Sequence, residues 1–204
     1  MITAVFGDIH GCIDELKASM ELVNTRNPDR YVFLGDYIDR GYDPVGVIDY
    51  IMNLQKEKDV TALMGNHEDI MLKEVRYEDD WDGTYWSQWC VNAVKFPLQQ
   101  IIWIKKLPKW FDDGKRFYCH VGVDPTIDLY KQSEHFLMWS RHHHNISTGR
   151  LIVHGHTPVK EIVQKENDLN IDTGCCFGNK LTCAIFDDIQ TNPLEFIQVS
   201  GWQI

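Results

Sequence analysis

No stretch of the 204-residue chain is long and apolar enough to span a bilayer, and no basic segment followed by an apolar block opens it. Neither a membrane partner nor a cleaved leader is expected. Positive charge is scarce: 20 Lys and Arg stand against 30 Asp and Glu, a net charge of −10. Broad nucleic-acid binding needs a basic footprint, so no nucleic-acid partner is expected and a nuclease fits poorly. Paired cysteine motifs are missing too. Cys12, Cys90, Cys119, Cys175, Cys176 and Cys183 match neither a zinc knuckle nor a small disulfide scaffold, which suits a reducing cytoplasm. There is no repeat, low-complexity tract or linker, so residues 1–204 read as one domain with a sizeable core.

What is there centres on Gly35-Asp36-Tyr37-Ile38-Asp39-Arg40-Gly41. This loop follows the apolar run Tyr31-Val32-Phe33-Leu34, which reads as a buried strand. It thus falls at a strand's C-terminal end, where open α/β sheets place their ligands. Upstream, Thr3–Phe6 is a strand candidate, and Ile13, Leu16, Met20 and Val23 recur at helical spacing to about Asn24. Asp43-Pro44 looks like an N-cap with proline in the first turn of a helix running to about Lys58. Val60–Met64 is a third strand, and the rhythm predicts a parallel βαβαβ unit. From Tyr77 to Asp113 the texture changes. Trp81, Trp86, Trp89, Trp103 and Trp110 lie there, and a mostly helical insertion is expected, its aromatics packed in the core first and lining a cleft wall second. Arg116–Cys119 and Leu151–Val153 are further strands. The tail (Asn170–Asp172, Lys180–Phe186, Leu194–Val199) reads as antiparallel, with Gly178-Asn179 as a hairpin turn.

One event recurs five times. An apolar run ends, and Asp, His or Asn follows beside glycine: Asp8 and His10, Asp36, Asn66 and His67, His120, and His154 or His156. Adjacent strands of one sheet end on the same side, so these groups should converge. Carboxylates, imidazoles and an amide oxygen form a donor set suited to Mn²⁺, Fe or Zn²⁺. Asp8-x-His10 would put two donors on one side of an extended segment, reaching one ion. Asn66, His120 and a later histidine would reach a second, with Asp36 between. Two ions about 3.5–4 Å apart can share a water and clamp an attacked phosphorus.

The motifs Asp8-Ile9-His10-Gly11, Gly35 to Gly41, Gly65-Asn66-His67-Glu68, Cys119-His120-Val121-Gly122 and Gly155-His156-Thr157-Pro158 resemble those of the calcineurin-like metallophosphoesterases. Asp-Arg-Gly and Asn-His-Glu are similar to the phosphoprotein phosphatase branch, with bacterial and phage members nearest. The resemblance spans Gly7 to about Asp187 and is weak over Tyr77–Asp113. It implies an α/β fold with central mixed β-sheets, sandwich-like and flanked by helices, carrying a small aromatic-rich helical insertion over about 77–113. It also implies two divalent ions, Mn²⁺ first among them. Asp8, His10 and Asp36 would hold one, and Asp36, Asn66, His120 and His156 the other. Pro158 stands where many relatives outside the branch have a histidine, so water would fill that place.

Roles follow from the same resemblance. His67 would be the general acid and Asp39 its orienter. Arg40 and Arg141 would bind phosphate oxygens, with Asn66 beside them; Arg141 rests on a short Trp-x-Arg match. His154 reads as a packing or supporting histidine, and Asp172 as a supporting carboxylate. His142-His143-His144 reads as a solvated run, and Cys175-Cys176 as buried packing. The expected activity is hydrolysis of phosphate monoesters by in-line attack of a metal-bridging hydroxide, with phosphoserine or phosphothreonine proteins first and phosphotyrosine second as substrates. The same residues suit a small phosphorylated substrate through symmetrical dinucleoside tetraphosphate hydrolysis. A non-catalytic metal-binding scaffold is the alternative of another class, and an acid paired with its own orienter counts against it. Oligomeric state is open.

Overall fold

The computed structural model describes residues 1–75, 83–90, 92–141 and 149–202. Trp81, the acidic run 78–80 and the histidine run 142–144 lie outside these residues.

The predicted βαβαβ unit is present. Strands β1 (Ile2–Phe6), β2 (Arg30–Phe33) and β3 (Asp59–Ala62) are parallel neighbours. They are joined by helices α1 (Ile13–Asn24) and α2 (Pro44–Leu54). Asp43 caps α2 by accepting the Gly46 N–H at 2.8 Å, with Pro44 in the first turn. Helix α1 buries Ile13, Leu16, Met20 and Val23, one stripe at helical spacing. Each such side chain contributes about 1.5–3 kcal/mol. Helix α3 (Asn66–Val75) follows β3.

The other strands divide between two sheets. Strands β11 (Lys180–Asp187) and β12 (Glu195–Ser200) complete the first, in the order β12-β11-β1-β2-β3, both added antiparallel. The second contains β6 (Trp110–Asp112), β7 (Arg116–Cys119), β8 (Leu151–His154), β9 (Val163–Lys165) and β10 (Asp168–Asn170), in the order β6-β7-β8-β10-β9. Strand alternation builds the interface between them. Val5, Val32, Leu34, Leu63 and Phe186 of the first pack with Tyr118, Val153 and Leu169 of the second. Ala4, Phe6, Tyr31 and Phe33 point the other way, into the core under the helices. The result is the expected mixed-sheet sandwich flanked by helices.

Three expectations need correction. The motif loops do not all leave one sheet: those after β1, β2 and β3 belong to the first, and those after β7 and β8 to the second. A strand buried on both faces carries no mark of its sheet. The tail is only partly antiparallel. Strand β10 pairs with β8 and β9, and the turn before β11 is a 3₁₀ helix (Cys175–Phe177) bounded by left-handed Gly174 and Gly178.

The insertion is not mostly helical either. Its described part is a short antiparallel hairpin, β4 (Thr84–Tyr85) with β5 (Val94–Lys95), one seven-residue helix α4 (Leu98–Ile104), and β6. Its tryptophans divide as well. Trp103 packs against the core, whereas Trp86 is 65% and Trp89 43% exposed. An aromatic-rich composition sets neither period nor exposure.

Candidate active site

The motif loops meet at one end of the sandwich. The loop after β1 docks on the loop after β2: Ile9 and His10 donate main-chain N–H bonds to the Asp36 carbonyl at 3.1 and 2.9 Å, and Gly11 donates to the Tyr37 carbonyl. Five site residues, His10, Asp36, Asp39, Arg40 and His156, have φ between 48° and 68°. Only two other described non-glycine residues, Asn27 and Glu166, have positive φ. Strain of this kind costs about 1–3 kcal/mol per residue and collects at functional sites. It also removes the geometry expected of Asp8-x-His10, because His10 turns the chain instead of extending it.

Asp36 is the centre. Its Oδ2 lies 3.3 Å from His120 Nε2, 3.5 Å from His10 Nε2 and 3.9 Å from His67 Nε2. Its Oδ1 accepts the His67 main-chain N–H at 3.0 Å, at the positive end of α3. The second expected set is brought together. Asn66 Oδ1 is 2.9 Å from both His120 Nε2 and His156 Nδ1, beside Asp36. Of the first set, His10 and Asp36 come together. His67 groups with them, and Asp8 accepts the His156 main-chain N–H at 3.1 Å.

The donor set fits divalent cations. Ligand atoms of His10, Asp36 and His67, and of Asp36, His120 and His156, lie within 4.8 Å of one another in each group. The ring of His10 donates from Nδ1 to the Ile38 carbonyl (2.7 Å) and that of His120 to the Leu34 carbonyl (3.0 Å). Those bonds turn both Nε2 atoms toward Asp36. Burial pushes the Asp8 carboxyl well up, with Asp172 adding to it. Burial also pushes Asp172 up to about 6 and, with His120 beside it, His156 down to about 3. Burial opposes charge on His120 as well, but Asp36, Asp8 and Glu68 overcome it and hold the ring at about 10. Several acids and imidazoles without bulk water are ill at ease alone, and divalent charge relieves them.

His67 and Asp39 are brought together. His67 Nδ1 lies 2.5 Å from Asp39 Oδ2, both groups buried, which leaves Nε2 toward the cleft. Arg40 donates from Nη1 to His10 Nε2. Its guanidinium sits 5.6 Å from the Trp89 ring and 5.3 Å from the Phe177 ring. Arg40 and Arg141 line the same cleft of about 370 Å³, with Asp36, Asn66, His67 and His156 in its wall. Trp139, which precedes Arg141, is held by a 2.9 Å bond from its Nε1 to Asp69. His154 lies elsewhere, buried and 3.1 Å from Asp168, in line with a supporting part. The thiols of Cys175 and Cys176 are buried as expected.

Some contributors carried no sequence signal. In the sequence Glu68 stands out only as part of a motif, yet its buried carboxylate accepts four main-chain N–H groups, from Asp36, Tyr37, Ile38 and Gly65, at 2.8–3.2 Å. Gly65 and Gly155 are necessary for space: a Cβ there would lie 2.2 Å from Asp36 Oδ1 and 2.0 Å from Asp8 Oδ1. Ser87, Cys90 and the Phe177 ring were invisible because nothing in their own stretches marks them as near the motif loops.

The calcineurin-like phosphoesterase pattern matches residues 1–189. The chain belongs to that family. It is thus a metallophosphoesterase-family hydrolase, and the family is binuclear metal-dependent. It is 28% identical to an asymmetrical bis(5'-nucleosyl)-tetraphosphatase PrpE of Oceanobacillus iheyensis, over 98% of this chain and 92% of the relative. It is 31% identical to serine/threonine-protein phosphatase 1 of Salmonella typhimurium, over 88% and 89%. The crystal structure of a provisionally assigned diadenosine tetraphosphatase superposes with a TM-score of 0.76 at 20% identity, over 98% of this chain and 94% of that one, which speaks to the fold. No helix among the described residues is long and apolar enough to cross a membrane.

Proposed function

We propose that this phosphoesterase cleaves the phosphoanhydride chain of dinucleoside polyphosphates, adding water across a P–O–P bridge to release two phosphorylated nucleosides. The observation that carries this reading is Arg40, whose guanidinium lies over the rings of two partly exposed aromatics, Trp89 and Phe177. Exposed aromatic faces stack bases at about 1–3 kcal/mol each, and a guanidinium takes phosphate oxygens in a fork. Relatives named as bis(5'-nucleosyl)-tetraphosphatases support it. This order reverses the sequence expectation, in which phosphoproteins came first.

Asp8, His10 and Asp36 would hold one divalent ion, with the Nε2 of His67 nearby, and Asp36, Asn66, His120 and His156 the other. Mn²⁺ is favoured, with Fe or Zn²⁺ also suited to the donors. Such ions polarise phosphoryl oxygens and activate water when bound. The chain supplies the rest. Arg40 and Arg141 neutralise the phosphate oxygens and set the line of attack. His67 gives its Nε2 proton to the departing oxygen, and Asp39 holds Nδ1 so that Nε2 faces the cleft.

A second reading, hydrolysis of phosphoserine or phosphothreonine in proteins, draws on the 31% identity to the Salmonella phosphatase. Incubating the Mn²⁺-loaded protein with diadenosine tetraphosphate and with a phosphopeptide separates them. Nucleotide products at a kcat/KM well above that for phosphate release carry the first reading. The opposite ranking sinks it. Two ADP would mark a symmetrical cut, and ATP with AMP an asymmetrical one.

A further inference from the structure

We propose that Cys90, with Ser87 beside it, is a positioning residue for the His67–Asp39 pair. The Cys90 thiol donates to Asp39 Oδ1 at 3.1 Å, while Oδ2 is taken by His67. Ser87 Oγ approaches the same Oδ1 at 3.5 Å and also accepts the Trp89 main-chain N–H at 3.2 Å. Both residues sit between β4 and β5, in the hairpin that crosses over the loop carrying Asp39 and Arg40. The Trp89 carbonyl in that hairpin accepts the Arg40 main-chain N–H at 2.7 Å. The hairpin therefore grips two consecutive residues, Asp39 and Arg40, whose φ values of 66° and 65° the chain adopts only under constraint.

The chemistry asks for such a grip. A carboxylate bonded through one oxygen can rotate, and its partner imidazole then swings with it. A donor on the second oxygen removes that freedom. A thiol serves because it stays protonated: burial, with the Asp39 bond adding to it, pushes Cys90 up to about 11. At neutral pH the group is a donor beside a carboxylate, not a competing anion. The carboxylate, thiol and hydroxyl thus form a chain that ends on the imidazole, with Cys90 acting through Asp39 and touching no substrate.

The inference rests on the reading of His67 as the proton donor, so both are tested together in the full chain. Loaded with diamagnetic Zn²⁺, the wild type should show a deshielded His67 ring N–H resonance from its short bond to Asp39. The Cys90→Ala/Ser87→Ala double variant should shift or broaden that signal, whereas Cys90→Ser, which keeps a donor, should restore it. With Mn²⁺, the double variant should lose about tenfold in kcat on phenyl phosphate, whose leaving group needs a proton, and less than about twofold on p-nitrophenyl phosphate. An unchanged resonance, or equal losses on the two esters, would overturn the positioning role. His67→Asn separates the two claims. If it shows the ester-selective loss and the double variant does not, only the role of Cys90 fails. If His67→Asn turns over phenyl phosphate like the wild type, the acid assignment falls and takes the inference with it.

Discussion

Glu68 accepts the main-chain N–H of Asp36 at 3.0 Å, so one buried carboxylate fixes the backbone of another. The same group takes the N–H of Gly65, and its other oxygen takes those of Tyr37 and Ile38. Glu68→Gln would turn an amide NH₂ toward two of these four donors. Each buried donor left without an acceptor costs about 1–3 kcal/mol. Urea unfolding of the two proteins near neutral pH should show that loss as a lower midpoint. A midpoint within error of wild type there would refute the hub.

Gly65→Ala should cost both stability and metal affinity, because its Cβ would meet the Asp36 main-chain N at 2.4 Å. It would also meet Asp36 Oδ1 at 2.2 Å and force the central carboxylate aside. Titration calorimetry with Mn²⁺ should show affinity down by at least about tenfold, in line with disturbing the support of a metal site. Wild-type affinity would show that Asp36 is not a shared donor.

Arg40→Lys keeps the charge and removes the fork. A drop of about tenfold in kcat/KM for the cleaved phosphate compound is expected, because an ammonium cannot bridge two oxygens in one plane or stack between Trp89 and Phe177. Steady-state kinetics of the two proteins decide the point, and equal values would place Arg40 outside phosphate binding.

Asp113 supplies a pH signature remote from the cluster. Burial raises its carboxyl, but N–H bonds from Lys115 and Arg116, the Tyr118 hydroxyl and the Arg116 guanidinium outweigh it and hold the group below the ordinary range. A depressed folded value gives stability that is present above the unfolded value of about 3.9 and lost as pH falls through the folded one. Asp113→Asn should therefore flatten the acid limb of a denaturation-midpoint curve below about pH 4. An unaltered slope would assign that limb to other carboxylates.

The legible parts of this protein were those written locally. The spacing of Ile13, Leu16, Met20 and Val23 gave α1 its bounds, and Asp43-Pro44 gave α2 its start. The convergence of Asp36, Asn66, His120 and His156 was readable because each follows an apolar run at a strand's end. Partnerships between distant segments were not readable. Nothing near Arg116 or Leu151 says that their strands pair with each other and leave β3 alone. Nothing near Cys90 says that its thiol reaches Asp39. The hairpin of β4 and β5 has two residues per strand, too few for any alternation to register.

The left-handed turns at His10, Asp36, Asp39, Arg40 and His156 set durability against competence. At each of these positions glycine would sit more easily on the backbone while deleting a reactive group. A lineage released from the need to react could thus drift toward sturdier, inert descendants. An Arg40→Gly copy that melts higher than its parent, yet turns over nothing, would be the laboratory counterpart.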